Sequence, residues 1–205
     1  MSVSRRSLLI SPFALGCLAA GAAAQGEAGA TAAISQLYDA LLGVMKQAKS
    51  ISFDQRFARL APVIGRVFDL GLMTRIAVGP SWPQIAPDAQ QRLTQAFIRF
   101  TVSQYAGRFD GYDGERFEVD PATLPNPNGV IVQSRLVKSN GEPVTLNYLM
   151  HRGAGGAWQA IDVYLKGTIS ELATRRSEFG GVLQSSGAEG LVKALDQRSA
   201  ALRAG

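Results

Sequence analysis

The sequence predicts an α+β domain: a curved antiparallel sheet of about four strands, covered by helices in helices-sheet-helices order, with an apolar cavity between the layers. Three observations carry this reading. Apolar residues recur at helical spacing in stretches between Ile34 and about Phe109, the pattern of amphipathic helices. After Asp113-Gly114 the period drops to two and stays there to about Lys166, the pattern of half-buried strands. From Thr168 to about Leu202 the helical spacing returns, so runs of helix flank a run of strands.

Leu37, Tyr38, Leu41, Leu42 and Met45 continue the stripe that Ile34 begins, and Ser50 and Ser52 interrupt it. Asp54 is placed to cap a second helix that buries Phe57, Leu60, Ala61 and Ile64, with Pro62 expected to bend or restart it. Phe68, Leu72, Met73 and Ile76 form a shorter stripe that stops at Gly79-Pro80. After Trp82, Pro87-Asp88-Ala89 opens the clearest helix, running to about Phe109, and its wide apolar face includes Phe97, Ile98, Thr101, Val102 and Tyr105. Residues 115–120, 129–138, 143–152 and 157–166 read as strands. Asn140-Gly141 and the stretch from Gly153 to Gly156 turn the chain between them, which predicts a meander. Two closing helices are expected, over about 168–183 and 188–202.

The fourth strand carries an unusual residue. Strict alternation places Trp158, Ala160, Asp162 and Tyr164 on one face and Gln159, Ile161, Val163 and Leu165 on the other. Asp162 is thus a carboxylate inside an apolar strand, which demands a partner. Arg175 or Arg176 on the next helix is the expected one. Gly167 ends the strand and Thr168 or Ser170 caps the helix. Trp158, Asp162 and Gly167 are read as the structural anchor of this region.

Arg5 and Arg6 precede a small, apolar run from Leu8 to Ala24 that contains no acid. This is the layout of a secretory signal peptide, with Ala22 and Ala24 as the small residues before a cleavage site. Residues 1–24 are therefore expected to be an export signal, 25–33 a flexible lead-in, and 34–205 a single domain. Ser4-Arg5-Arg6-Ser7-Leu8-Leu9 also has the form of a twin-arginine signal. Cys17, the only cysteine, lies within this signal and has alanine rather than leucine three residues before it, a poor match to a lipoprotein site. Without it the remainder has no disulfide to stabilise it.

Of 21 basic residues in the chain, removing Arg5 and Arg6 leaves 19 against 16 acidic ones. The basic residues are scattered, so nucleic-acid binding has little support. The catalytic inventory is thin. His151 is the only histidine, which excludes a metal site built on two imidazoles. No phosphate-binding glycine loop and no nucleophile elbow occurs. Asp110, Asp113, Glu115 and Glu118 read as a solvated turn and the strand after it rather than a pair of catalytic carboxylates. No catalytic residue, metal or cofactor is assigned.

A cavity between helix and sheet would take its walls from Phe97, Tyr105 and Phe109 on the long helix, with Val130, Val132, Leu146, Tyr148, Val163 and Leu165 on the strands. The same pattern also fits a sheet packed by helices on both sides, with no cavity. Lys166, Arg175 and Arg176 are candidates for the rim of the cavity or for docking a partner.

Three stretches carry a family resemblance: FARLAPVIGRVFDLGLMTRIAVGPSW from Phe57 to Trp82, RLTQAFIRFTVSQYAGRFDGYDGERFEV from Arg92 to Val119, and GAWQAIDVYLKGTISELATRRSEF from Gly156 to Phe179. Within them stand Phe68-Asp69, Gly79 with Trp82, and Phe97 with Phe100 and Tyr105. Trp158, Asp162, Val163 and Gly167 follow, and then Arg176, Ser177 and Phe179. The chain resembles the MlaC-type periplasmic phospholipid-binding proteins, auxiliary components of ABC transporters linked to toluene tolerance, and within them the hopanoid-biosynthesis-associated HpnM branch. It departs from the common family pattern at Gly167-Thr168-Ile169-Ser170 and at Ala77-Val78. The resemblance implies a soluble, monomeric carrier without enzymatic activity. It would hold acyl chains in a cavity and shuttle phospholipid, or a hopanoid-related lipid, across the periplasm between an inner-membrane ABC complex and an outer-membrane acceptor. Two other readings are compatible with the residues: an interaction or scaffold protein with a fully packed core, and a hydrolase in which Asp162 works with a second carboxylate or Tyr148.

Overall fold

The computed structural model describes the backbone of residues 17–205 and the side chains of residues 27–205. Most of the expected export signal over residues 1–24 lies outside the described residues. The first helix, α1, spans Cys17–Lys46, so residues 25–33 are helical rather than a flexible lead-in. The cause is packing that a sequence of small residues conceals. Ala30 and Ile34 are wholly buried, and Gly29 lies so close to the indole of Trp158 that a Cβ there would sit 2.9 Å from the ring. Thr123 donates its hydroxyl hydrogen to Glu27 at 2.6 Å, tying this end of the helix to the sheet.

Helix α2 spans Phe53–Val67 and is capped by Ser52, not Asp54. The Ser52 hydroxyl accepts from the Gln55 amide while the Gln55 side chain accepts from the Ser52 amide, a reciprocal capping box. Asp54 instead sits in the first turn, where a negative charge favours the helix dipole, and pairs with Arg203. Pro62 neither ends nor restarts α2. It is exposed, so the carbonyl it deprives of a hydrogen bond faces water. Asp69 caps α3, Leu70–Val78, accepting from the Leu72 amide at 2.9 Å. A 3₁₀ segment, Gly79–Gln84, leads into α4, Pro87–Arg108.

Strands β1 (Arg116–Asn126), β2 (Gly129–Val137), β3 (Pro143–Arg152), β4 (Trp158–Leu165) and the two-residue β5 (Ile169–Ser170) form one sheet in sequential order. Every neighbouring pair is antiparallel. The meander is as expected, with one short strand added at its edge. Strand β1 runs past residue 120 because a register shift between Val119 and Thr123 absorbs Asp120, Pro121 and Ala122, and a bulge is where a strand tolerates proline. A second shift changes the reading of β4. Leu149 pairs with Asp162 while Met150 pairs with Ala160, which leaves Ile161 as the extra residue of a bulge. Ala160 and Val163 consequently belong to the same buried cluster, where strict alternation puts them on opposite faces.

The closing segment is one long helical element, α5, Glu171–Ala204, broken at Gly187 (φ 66°, ψ −170°). It corresponds to the two expected helices, although residues 168–170 belong to the turn and β5. The buried cluster draws on all five helices and on β2, β3 and β4, so the core is the layer between helices and sheet.

Gly79 closes α3 with φ 68° and ψ −138°, a region that side chains make costly. The Arg176 guanidinium covers it, and a Cβ would sit 2.9 Å from Arg176 Nε. Gly79→Ala is expected to lower the unfolding free energy by about 1–3 kcal/mol in urea denaturation; an unchanged midpoint would remove this contact from the account of the fold.

Candidate functional site

Between α4 and the sheet, closed at one end by the first turn of α5, lies an apolar pocket. Helix α4 contributes Phe97 and Tyr105 with Phe109 just after it, and the sheet contributes Leu146, Tyr148, Val163 and Leu165. Seven of the nine expected wall residues therefore come together. Val130 and Val132 do not line this pocket; they are buried in the core on β2, one strand farther from the gap. The wall also includes Phe68, Met73 and Leu172, whose helical spacing signals burial without saying against what. Counting its open mouth, the space is about 790 Å³, of which about 120 Å³ admits the centre of a water molecule. The enclosed part is therefore narrow, well below the roughly 300 Å³ at which pockets for small ligands usually begin, and most of the space belongs to the open mouth.

Three tyrosines meet where α1, β3 and α4 converge. Ser134 donates its hydroxyl hydrogen to the Leu146 carbonyl, so Tyr38, hydrogen-bonded to the same serine oxygen, is the donor to Ser134. Tyr38 stacks on Phe117 with ring centroids 4.1 Å apart, and Tyr105 stacks on Phe109 at 5.8 Å. Burial pushes the Tyr38 phenol up to about 12 and raises Tyr105 and Tyr148 further. The phenols of the pocket wall are thus neutral.

Asp162 anchors the closing end. Its Oδ1 accepts from the backbone amides of Val163 (2.7 Å) and Leu172 (3.0 Å), and its Oδ2 accepts from the Ser170 hydroxyl (2.6 Å). Ser170 in turn accepts from the Ala173 amide as the cap of α5. The partner of the buried carboxylate is therefore a helix N-terminus, where the dipole favours it, and not Arg175 or Arg176. With both oxygens occupied and the residue 7% exposed, Asp162 has the geometry of an anchor rather than an acid catalyst. Trp158 packs against the core, and Gly167 makes its turn at φ 80°.

The cations divide into three settings. Arg175 lines the pocket but is held by Glu171 at 3.5 Å and Glu178 at 3.2 Å and lies 5.1 Å from the Phe100 ring centre. Lys166 and Arg176 are not among the lining residues: Lys166 is exposed in the turn before β5, and Arg176 covers Gly79. Arg108, at the last turn of α4, does line the pocket; nothing in its local sequence distinguishes it from an ordinary helix-end arginine. Elsewhere, His151 Nε2 lies 3.1 Å from Asp69 Oδ2, and Glu118 pairs with Arg135 and Arg116, which hold its carboxyl below the usual range. Among the described residues no group of three or more His, Cys, Asp or Glu side chains is placed to hold a metal ion, and no helix is long and apolar enough to cross a membrane.

A helix-covered antiparallel meander around a largely apolar pocket has the architecture of a domain that takes up an apolar ligand. Comparison with known families is more specific: the model described as MlaC protein matches residues 35–197, and the chain belongs to the MlaC family. Among solved structures it resembles the phospholipid-binding protein of Ralstonia solanacearum in complex with a phospholipid, with a TM-score of 0.72 and 26% identity over 84% of this chain and 98% of that one.

Asp162→Ala removes the acceptor of three hydrogen bonds, two of them from backbone amides, and should cost about 3 kcal/mol in chemical denaturation; a loss well below 1 kcal/mol would mean that the Ser170 cap alone secures α5. The tyrosines predict an alkaline limit. Because the Tyr38 phenol rises from 10.0 in the unfolded chain to about 12 when folded, the unfolded state releases its proton first and stability falls as pH climbs through that interval. Ultraviolet titration should find Tyr38, Tyr105 and Tyr148 protonated until unfolding exposes them; their ionisation near pH 10 in folded protein would contradict the buried cluster.

Proposed function

We propose that this protein is a lipid carrier that holds the acyl chains of a phospholipid in the pocket between α4 and the sheet. The observation that supports it most directly is a largely apolar pocket between α4 and the sheet in a chain of the MlaC family whose structural relative is described in complex with a phospholipid. Phe97, Tyr105, Phe109, Leu146, Tyr148, Val163 and Leu165 contact the chains in this reading, and Arg175 belongs to the rim. Lys166 and Arg176, away from the lining, are the candidates for docking a partner.

Transfer requires no covalent step. Each buried CH₂ contributes about 0.8 kcal/mol, so two chains of about 16 carbons would oppose release into water by about 25 kcal/mol. Release therefore calls for a partner that offers an equally apolar path. In the reading proposed here the protein is exported to the periplasm and accepts or delivers lipid between an inner-membrane ABC transport complex and an outer-membrane acceptor. A hopanoid-related lipid is the alternative cargo, suggested by the resemblance to the HpnM branch.

Mass spectrometry of solvent extracts from the purified protein should detect bound phospholipid, and the protein should take up labelled phospholipid from vesicles. Val163→Trp, which fills the pocket, should reduce uptake several-fold while leaving a cooperative unfolding transition. Wild-type protein with neither bound lipid nor uptake would favour a scaffold function instead.

A further inference from the structure

Two arginines reach the pocket mouth, and their settings differ. Arg175 is neutralised by Glu171 and Glu178, and its side chain is only 13% exposed, so its charge is already satisfied. Arg108 is exposed and forms none of the ion pairs or side-chain hydrogen bonds found among the described residues. It lines the same pocket as Gln104, one turn earlier on α4, and residues four apart share a helix face. Glu171 also lines the pocket, but it is the carboxylate that pairs with Arg175.

We propose that Arg108, assisted by the Gln104 amide, binds the phosphate of a lipid whose chains occupy the pocket. This rests on the carrier reading above. A planar guanidinium offers paired donors that match phosphate oxygens, and those of Arg108 have no carboxylate partner to give up, since Glu171 in the same lining is held by Arg175. The same helix that supplies the aromatic wall for the tails supplies the group for the phosphate, so headgroup and chains are positioned by one rigid element. The pocket thereby separates phosphate-bearing lipids from neutral ones of the same chain length.

The test uses delipidated protein and vesicles carrying labelled phosphatidylglycerol or labelled diacylglycerol with identical chains. Arg108→Ala and Arg108→Glu should lower retention of phosphatidylglycerol about tenfold and leave diacylglycerol retention unchanged, and Arg108→Lys should restore part of the loss. An equal effect on both lipids, or no effect on either, overturns the phosphate role and leaves Arg108 as a cation favouring the helix C-terminus. Wild-type protein that binds neither lipid overturns the carrier reading and this inference with it. Unchanged unfolding midpoints separate a binding defect from a folding one.

Discussion

One carboxylate joins the two halves of this architecture. Asp162 leaves the sheet through β4 and is hydrogen-bonded to the amide of Leu172, to the capping serine and to the amide of its own neighbour. The start of α5 is thereby held against the strand that forms the pocket's floor. Leu172 and Arg175 follow within the next turn, so the position of the pocket's closing wall depends on this buried charge. Burying a carboxylate is costly, and here the cost is offset by donors that a helix beginning would otherwise leave unpaired.

The pocket follows the same economy of polar groups. Its deep residues are apolar or neutral phenols, and the tyrosine hydroxyl of α1 is satisfied through Ser134 and a β3 carbonyl instead of by the cavity. Charge is confined to the mouth, where Arg175 is balanced and Arg108 is not. An acyl chain entering this space would displace no ion pair, and a polar headgroup would remain beside the only part of the wall that carries charge.

The fold was largely legible because it is written in periodicity. The expected limits of β3 coincide with those observed, since alternation, an Asn-Gly turn and a glycine-rich loop bracket it. What periodicity cannot carry is pairing. The bulge at Ile161 is created by how β4 meets Leu149 and Met150, and no residue in β4 announces it. Val130 and Val132 alternate as cleanly as Leu146 and Tyr148; only the order of strands decides which pair faces the gap. The need of Asp162 for a partner was readable, whereas its identity was not, because backbone amides have no letter in a sequence and two arginines stood nearby. Residues 25–33 misled for a related reason: small side chains are read as flexible, yet they permit the close approach of α1 to Trp158. Arg108 was overlooked because an arginine at a helix end is ordinary until its neighbours are known.

The break at Gly187 sets the phase of α5. A regular α-helix advances about 100° per residue, so in an uninterrupted helix Leu191 would stand about 120° around the axis from Phe179. Yet Phe179 and Leu191 are both buried in the same core. The non-helical glycine resets the rotation between them, so the half that closes the pocket and the half that pairs with α4 through Glu189 and Asp196 can each present its own apolar face. A joint forced into regular helix would turn the buried face of one half away from the core.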